Sequence, residues 1–283
     1  MGIKVTKMQG CGNDFVILDY ESFLEFNLSM SDTAKKLCDR HFGIGADGLI
    51  IPNTNEEMAD IGWYFFNSDG STAQMCGNGM RCFAKYVYDK GLVSKKEFSV
   101  QTYAGIISPA IQENGEVRVN MSKPVLVPEF IPFVPNDNMN YKIAVKNIVF
   151  EGCAISMGNP HFVIFVSPQE DMMKLAKEYG PIIETSAEFP EKTNVEFVKI
   201  LSPDKIKLCV WERGCGITLA CGTGACASVV AGILKGCLNN SVDVELPGGT
   251  VRIDWDGNKI RTAKDVFLTG PAEYVFEAEL FNV

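Results

Sequence analysis

Met75-Cys76-Gly77-Asn78-Gly79 and Ala220-Cys221-Gly222-Thr223-Gly224 are two near-identical glycine-rich segments, each carrying a cysteine and each running straight into a helical pattern. A cysteine at a helix N-terminus lies at the positive end of the helix dipole, beside backbone N–H groups that have no intrahelical partner. That setting lowers a thiol pKa and offers a cradle for an anion. One such segment points to a nucleophile or a redox thiol. Two point to a pair of acid/base thiols serving one substrate.

Other landmarks keep step with the two cysteines. Gly12-Asn13-Asp14-Phe15 precedes Cys76 by 63 positions counted from Asn13, and Gly158-Asn159-Pro160-His161 precedes Cys221 by 62 counted from Asn159. Asn67 and Glu212 each stand nine residues before their cysteine, and Val100 to Gly105 follows the first much as Val244 to Gly249 follows the second. Fixed offsets of this kind mark a duplicated unit. With two copies of about half the chain each, the expectation is a pair of pseudo-symmetric domains with a shared cleft, not a solenoid.

The periodicity fills in each copy. Ile3 to Met8, Phe15 to Leu18 and Gly62 to Phe66 read as strands in the first, as do Ala154 to Ser156, Phe162 to Val166, Val195 to Ile200 and Ile206 to Glu212 in the second. Ser31 is expected to cap a helix reaching His41, and Ser167 with Glu170 forms a capping box for a helix ending before Gly180-Pro181. The cysteine helices are expected over 78–90 and 223–235, stopped by Gly91 and Gly236. Ala225 to Leu234 is apolar all round, so that helix should be central, whereas Arg81, Lys85 and Asp89 put a polar stripe on the other. Short strands fill the rest, Lys259 to Thr262 among them. The predicted fold class is α+β, each domain mostly antiparallel sheet wrapped around a central helix. Pro124 to Pro135 reads as a linker, which divides the chain into 1–124, with 271–283 returning to it, and 125–270.

Composition bounds the function. The 283 residues are 46% hydrophobic and 22% charged with a net charge of −9, a globular composition that argues against nucleic acid or an anionic membrane as partner. No run approaches the ~18 apolar residues of a membrane span and no signal-peptide pattern opens the chain, so it reads as cytoplasmic. Ten cysteines in such a chain read as reduced thiols. With two histidines and no Cys-x-x-Cys, no zinc site is expected. Cys11, Cys38, Cys82, Cys153, Cys209, Cys226 and Cys237 lie in or beside apolar segments and read as buried, inert thiols, and Cys215 as structural. Gly43-Ile44-Gly45-Ala46-Asp47-Gly48 matches the dinucleotide fingerprint as a string, but a helix precedes it and an apolar run follows, so it reads as a turn. Met1-Gly2 with Thr6 fits a myristoylation pattern, yet Ile3 to Met8 reads as a core strand and no polybasic second signal accompanies it.

Paired thiols suit proton removal from a carbon next to a carboxylate and its return to the opposite face, one thiolate acting as base while its partner stays protonated. The backbone N–H groups of Gly77, Asn78, Gly222 and Thr223 are placed to hold the carboxylate and its developing charge. Arg213 offers a bidentate fork for a carboxylate, and Glu212 an acceptor for an ammonium.

At this point the residues resemble a family. Gly12 to Phe15, Phe42 to Gly48, Asn67 to Ser71, Cys76 to Cys82, Gly158 to His161, Asn194-Val195-Glu196-Phe197 and Trp211 to Cys226 look, in order and over nearly the whole chain, like the diaminopimelate epimerases. The related proline racemases carry a histidine after Cys-Gly in the first segment, where this chain has Asn78. The resemblance implies interconversion of LL- and meso-diaminopimelate without pyridoxal phosphate or metal, in lysine and peptidoglycan precursor synthesis. It implies Cys76 and Cys221 as catalytic acid/bases, His161 and Glu212 as groups tuning them, and substrate contacts from Asn13, Asn67, Asn159, Asn194, Glu212 and Arg213. It also implies a homodimer. Three positions depart from the pattern: Gly48, where some members have glutamine, and Met75 and Ile217, often polar in the family. Two other functions fit the cysteine pair: a related racemase acting on a single-headed amino acid, and a redox sensor switching through a Cys76–Cys221 disulfide.

Overall fold

In the computed structural model, which describes residues 2–73 and 75–281, the chain divides into two units, Met1–Val119 with Thr269–Val283, and Asn120–Leu268. In the first, β1 (Ile3–Gly10) and β2 (Asn13–Ile17) form a hairpin whose turn residues Cys11 and Gly12 both have positive φ, 56° and 83°, the mark of a type I′ turn. Helices α1 (Tyr20–Leu24) and α2 (Met30–Cys38) lead to β3 (Gly48–Asn53), parallel to β2, and to β4 (Ile61–Asn67), antiparallel to β3. The first cysteine helix, α3 (Gly77–Asp89), precedes β5 (Val100–Thr102) and β6 (Gly105–Ile107), and the hairpin of β7 (Pro109–Ile111) with β8 (Val117–Asn120) follows. With the C-terminal strand Glu273–Leu280 antiparallel to β1, that strand begins a seven-stranded sheet continuing β1-β2-β3-β4-β5-β6.

The second unit repeats the scheme. Its elements are β9 (Tyr141–Val145), β10 (Ile148–Ser156), β11 (Pro160–Phe165), α4 (Met172–Glu184), β12 (Asn194–Ser202), β13 (Lys205–Glu212), β14 (Gly216–Ile217), α5 (Gly222–Lys235), β15 (Ser241–Leu246), β16 (Gly249–Trp255) and β17 (Val266–Gly270). Reading β9-β10-β11-β12-β13-β15-β16, the junctions β11/β12 and β13/β15 are parallel and the others antiparallel. The first unit has its parallel junctions at the equivalent places, β2/β3 and β4/β5. The fold is therefore α+β, built twice on one strand plan.

Strand alternation decides which side chains reach each cysteine helix. Val16, Leu49 and Ile51 join Ala34 and Leu37 of α2 in one core cluster, while Phe15 and Ile50 lie against Gly79 of α3. In the second unit Phe162, Ile164, Val195 and Phe197 join Ala176 and Ile183 of α4. Glu196, one step out of phase with them, lies against Gly224 of α5.

Several local expectations are corrected. Ser29, not Ser31, caps α2 by accepting from Asp32 N, and the helix ends at Cys38. Ser167 N does donate to Glu170, but the helix starts later, capped by Asp171, and passes through Pro181. Proline's φ is compatible with a helix and costs one hydrogen bond; burial of Tyr179 and Ile183 outweighs that loss and carries α4 to Glu184. No strand forms over 259–262; the next strand, β17, begins at Val266. Arg81 is not part of a solvated stripe but fully buried, leaving Lys85 and Asp89 as a half-exposed ion pair. Cys237 is only half-buried, unlike the other cysteines expected in the core.

Candidate active site

Each paired cysteine is the N-cap of its helix. Cys76 and Cys221 have extended backbone, and each Sγ accepts from the N–H three residues on, Gly79 and Gly224, at 3.4 Å. The sulfur takes the place that a serine or aspartate oxygen usually fills. Gly77 and Asn78, and Gly222 and Thr223, form the first turns, whose N–H groups point out of the helix end. Cys76 is half-buried and Cys221 buried.

In the first unit, Asn13 stands at the exit of the type I′ turn. Its Oδ1 accepts from Cys76 Sγ at 3.7 Å and from Asn78 Nδ2 at 3.3 Å, and its Nδ2 donates to Asp47 at 2.6 Å. Asp47 also accepts from Asp14 N and Arg40, while Asp14 pairs with Arg40 and Lys7. Burial pushes the Asp14 carboxyl up, but hydrogen bonds from Arg40 and Lys7 outweigh it and hold the group below the ordinary aspartate value. Sequence reasoning missed this ionic brace, because its members come together only through the β2/β3 parallel pairing and the turn that follows α2. Arg81 supports Asn78 from below: Nη1 donates to Asn78 Oδ1 and Nε to Pro271 O, both at 2.9 Å. Asn67 is exposed, its Nδ2 on Ser71 Oγ. Gly48 has no room for a side chain, since a Cβ there would lie 2.6 Å from the Phe65 ring and 2.8 Å from Phe66 O.

In the second unit, Glu212 is half-buried at the end of β13. Its carboxylate accepts from Thr218 Oγ1 and from the Cys221 thiol. Burial pushes Glu212 up against the pull of those two bonds. Cys221 also lies 3.5 Å from Thr223 Oγ1. Burial, then the charges of Glu212 and Glu196, drive its thiol well above the ordinary range, outweighing Thr223 and the Gly224 N–H. Asn159 Oδ1 lies 2.9 Å from His161 Nε2, and His161 Nδ1 lies 2.7 Å from Glu196 Oε1. Asn194 uses its side chain as a staple, donating to Pro160 O at 2.8 Å and accepting from Arg213 N at 2.9 Å. That bond and the Gly214 N donation to Glu184 fix the turn that carries the exposed Arg213 side chain. Sequence reasoning missed Glu196 and Glu184. The signal for Glu196 was an acid inside the apolar strand Val195-Glu196-Phe197-Val198, where an unpaired charge would be costly.

The two units thus bring Cys76 together with Asn13 and Asn78, and Cys221 together with Glu212 and Thr223. Asn159 and His161 form a further group with Glu196. What the arrangement offers is thiol acid/base chemistry at helix N-termini ringed by amide groups.

Fold and site together define a scaffold shared with amino-acid epimerases. A hydroxyproline epimerase from Agrobacterium vitis superposes with a TM-score of 0.68 at 13% identity, covering 98% of this chain and 92% of that one, a likeness of fold. The sequence goes further: residues 5–127 and 153–275 match the family described as Diaminopimelate epimerase, and the chain belongs to that family. The diaminopimelate epimerase of Carboxydothermus hydrogenoformans is 51% identical over 278 residues, covering 97% of this chain and 98% of that protein. That of Halothermothrix orenii is 46% identical over 290 residues, covering 99% and 98%.

Proposed function

We propose that the protein interconverts LL- and meso-diaminopimelate, taking the α-proton on one face and returning a proton on the other, in lysine and peptidoglycan precursor synthesis. The observation that carries this reading is the pair of cysteines, each capping its helix with its own sulfur in equivalent frames, within a chain of this family. One cysteine as thiolate takes the α-proton and becomes a thiol. The other thiol gives its proton to the opposite face of the carbanion and becomes a thiolate. Protonation is shared by the pair, so the apparent pKa values belong to both sites.

Burial and the carboxylates beside Cys221 support this thiol as the one that holds the proton at rest. The first-turn N–H groups of Gly77, Asn78, Gly222 and Thr223 receive the α-carboxylate. Each donor aimed at developing charge contributes on the order of 3 kcal/mol to the transition state. Arg213 and Glu212, with Asn13, Asn67, Asn159 and Asn194, read the amino-acid end that does not react. His161 and Glu212 tune the thiols. The reaction so written draws on no metal or organic cofactor. The reading extends to a cytoplasmic homodimer, for which sedimentation at micromolar concentration is the direct measurement. The test of the reaction is solvent exchange. Diaminopimelate incubated in deuterated water should gain deuterium at the α-carbon, and Cys76→Ala or Cys221→Ala should abolish inversion. Full epimerisation by either alanine variant would refute the two-thiol reaction.

A further inference from the structure

His161 and Glu196 are both 0% exposed, and they stand where the first unit is apolar. Phe15 is two residues after Asn13, as His161 is after Asn159; Ile50 is two after Gly48, as Glu196 is after Asn194. The strand registers agree, Phe15 opposite Gly48 and His161 opposite Asn194 across parallel pairs. Gly79 and Gly224 occupy the same step of the two cysteine helices. A Cβ at Gly79 would meet Phe15 and Ile50 at 3.4 and 3.5 Å, whereas one at Gly224 would meet Glu196 Oε1 at 2.9 Å. The same backbone therefore accepts an apolar pair under one cysteine helix and holds a histidine–carboxylate pair under the other.

A buried histidine–carboxylate pair is a weak source of stability, because the cost of desolvating its groups offsets their attraction. Here the cost is not fully met within the protein: Glu196 Oε1 accepts from His161, but Oε2 is buried with no hydrogen-bond partner there. The fold does not require this pair, as the first unit shows. The pair's connections lead instead to the site. His161 Nε2 meets Asn159 Oδ1 at 2.9 Å, and Glu196 lies beside the first turn of α5, close enough for its charge to act on Cys221.

We propose that Glu196 is a positioning residue: its buried carboxylate holds the Nδ1–H of His161 and so fixes the ring whose Nε2 sets Asn159. This is the arrangement in which a carboxylate fixes the orientation and tautomer of a working histidine. It rests on the roles given above to Cys221, His161 and Asn159. Glu196 touches no reacting atom: its loss should lower kcat through His161 and raise KM less, as Asn159 loses its fixed partner.

Only two histidines are present in the chain, so the protein labelled with ¹⁵N-histidine reports His161 directly, with His41→Gln for assignment. The wild-type protein should show a His161 Nδ1–H proton far downfield and slow to exchange. In Glu196→Gln that resonance should move or vanish, and kcat should fall about 10–100-fold, with a smaller rise in KM from the released Asn159. The double variant His161→Phe with Glu196→Ile, which copies the first unit's apolar pair, should fold with a melting temperature no lower than that of the wild type and be inactive. No downfield Nδ1–H in the wild type, unchanged His161 signals or kcat in Glu196→Gln, or a double variant that unfolds or stays active would each overturn the proposal. Absence of any α-proton exchange by the wild-type protein would refute the proposed reaction instead, and the histidine spectra would still decide the pairing.

Discussion

Gly79→Ala and Gly224→Ala place the same methyl group at the same step of the two cysteine helices and should have opposite effects. Glycine to alanine inside a helix gains up to about 1 kcal/mol, and part of that at a first turn, by restricting the unfolded chain and improving propensity. At Gly79 the new Cβ would sit 3.4 Å from Phe15 and 3.5 Å from Ile50, ordinary contact, so the gain survives. Stability should rise by about 0.5–1 kcal/mol, worth roughly 1–4 °C in melting temperature for a chain of this size. At Gly224 the Cβ would sit 2.9 Å from Glu196 Oε1 and 3.2 Å from Cys221 Sγ, and overpacking of that kind costs about 1–3 kcal/mol. The balance is a net loss of about 0.5–2 kcal/mol. Because Oε1 is also the acceptor for His161, relief of the clash lengthens that bond. Urea melts of both variants, and of Gly224→Ala combined with Glu196→Ala, measure the effect as a double-mutant cycle. With Glu196 truncated, the Gly224→Ala penalty should disappear, a coupling of about 1 kcal/mol or more. Equal stability of the two single variants, or zero coupling in the cycle, would refute the reasoning.

Alkaline pH should weaken the fold. Burial pushes the thiols of Cys38, Cys82 and Cys153 from 9.0 up to about 12, so between those values the unfolded chain has lost protons that the folded chain keeps. Stability is therefore full below pH 9 and falls as pH rises toward 12, by about 1.4 kcal/mol per thiol at pH 10. Urea melts under reducing conditions at pH 8 and pH 10 measure it, and Cys82→Ala should reduce the loss between them by about 1.4 kcal/mol; an unchanged slope in that variant counts against it. Asp47→Ala should release Asn13, whose Nδ2 it holds at 2.6 Å, and raise KM about tenfold, the worth of one charge-assisted hydrogen bond. Steady-state kinetics with an unchanged KM would show that Asn13 needs no such anchor.

What the residues disclosed before any coordinates was the repeat and its cysteine helices. Two Cys-Gly segments in register carry their own helix starts, and the helices begin at Gly77 and Gly222, one residue before the expected positions. Local patterns were less informative where tertiary packing decides. Pro181 marks a helix end by propensity, yet Gly180 packs so closely on Trp211 that an added Cβ would lie 2.5 Å away, and burial carries α4 onward. Arg81 sits at a polar step of a helical pattern, but its acceptors, Pro271 O and the Asn78 side chain, come from a distant segment and from its own first turn. The brace of Lys7, Asp14, Arg40 and Asp47 has no local pattern at all. Glu196 was legible in part, since an acid in an apolar strand calls for a partner, but the strand alone does not say that the partner is a histidine.

The duplicated units share a backbone plan and differ in charge, and that difference bears on the reaction proposed. Cys76 has neutral amides beside it, Asn13 and Asn78, with the buried Arg81 guanidinium bonded to Asn78. Cys221 has the carboxylate of Glu212 in contact and that of Glu196 beneath its helix. Negative charge beside a buried thiol favours the protonated form. Two identical sites would compete for one proton with no preference. In the proposed reaction the carboxylates beside Cys221 favour its holding the resting proton, so that one direction starts from Cys76. After transfer the thiolate stands at Cys221, next to Glu212, which is the less favourable arrangement. In the proposed cycle, loss of the acquired proton from Cys76 to solvent and gain of one by Cys221 together restore the starting form.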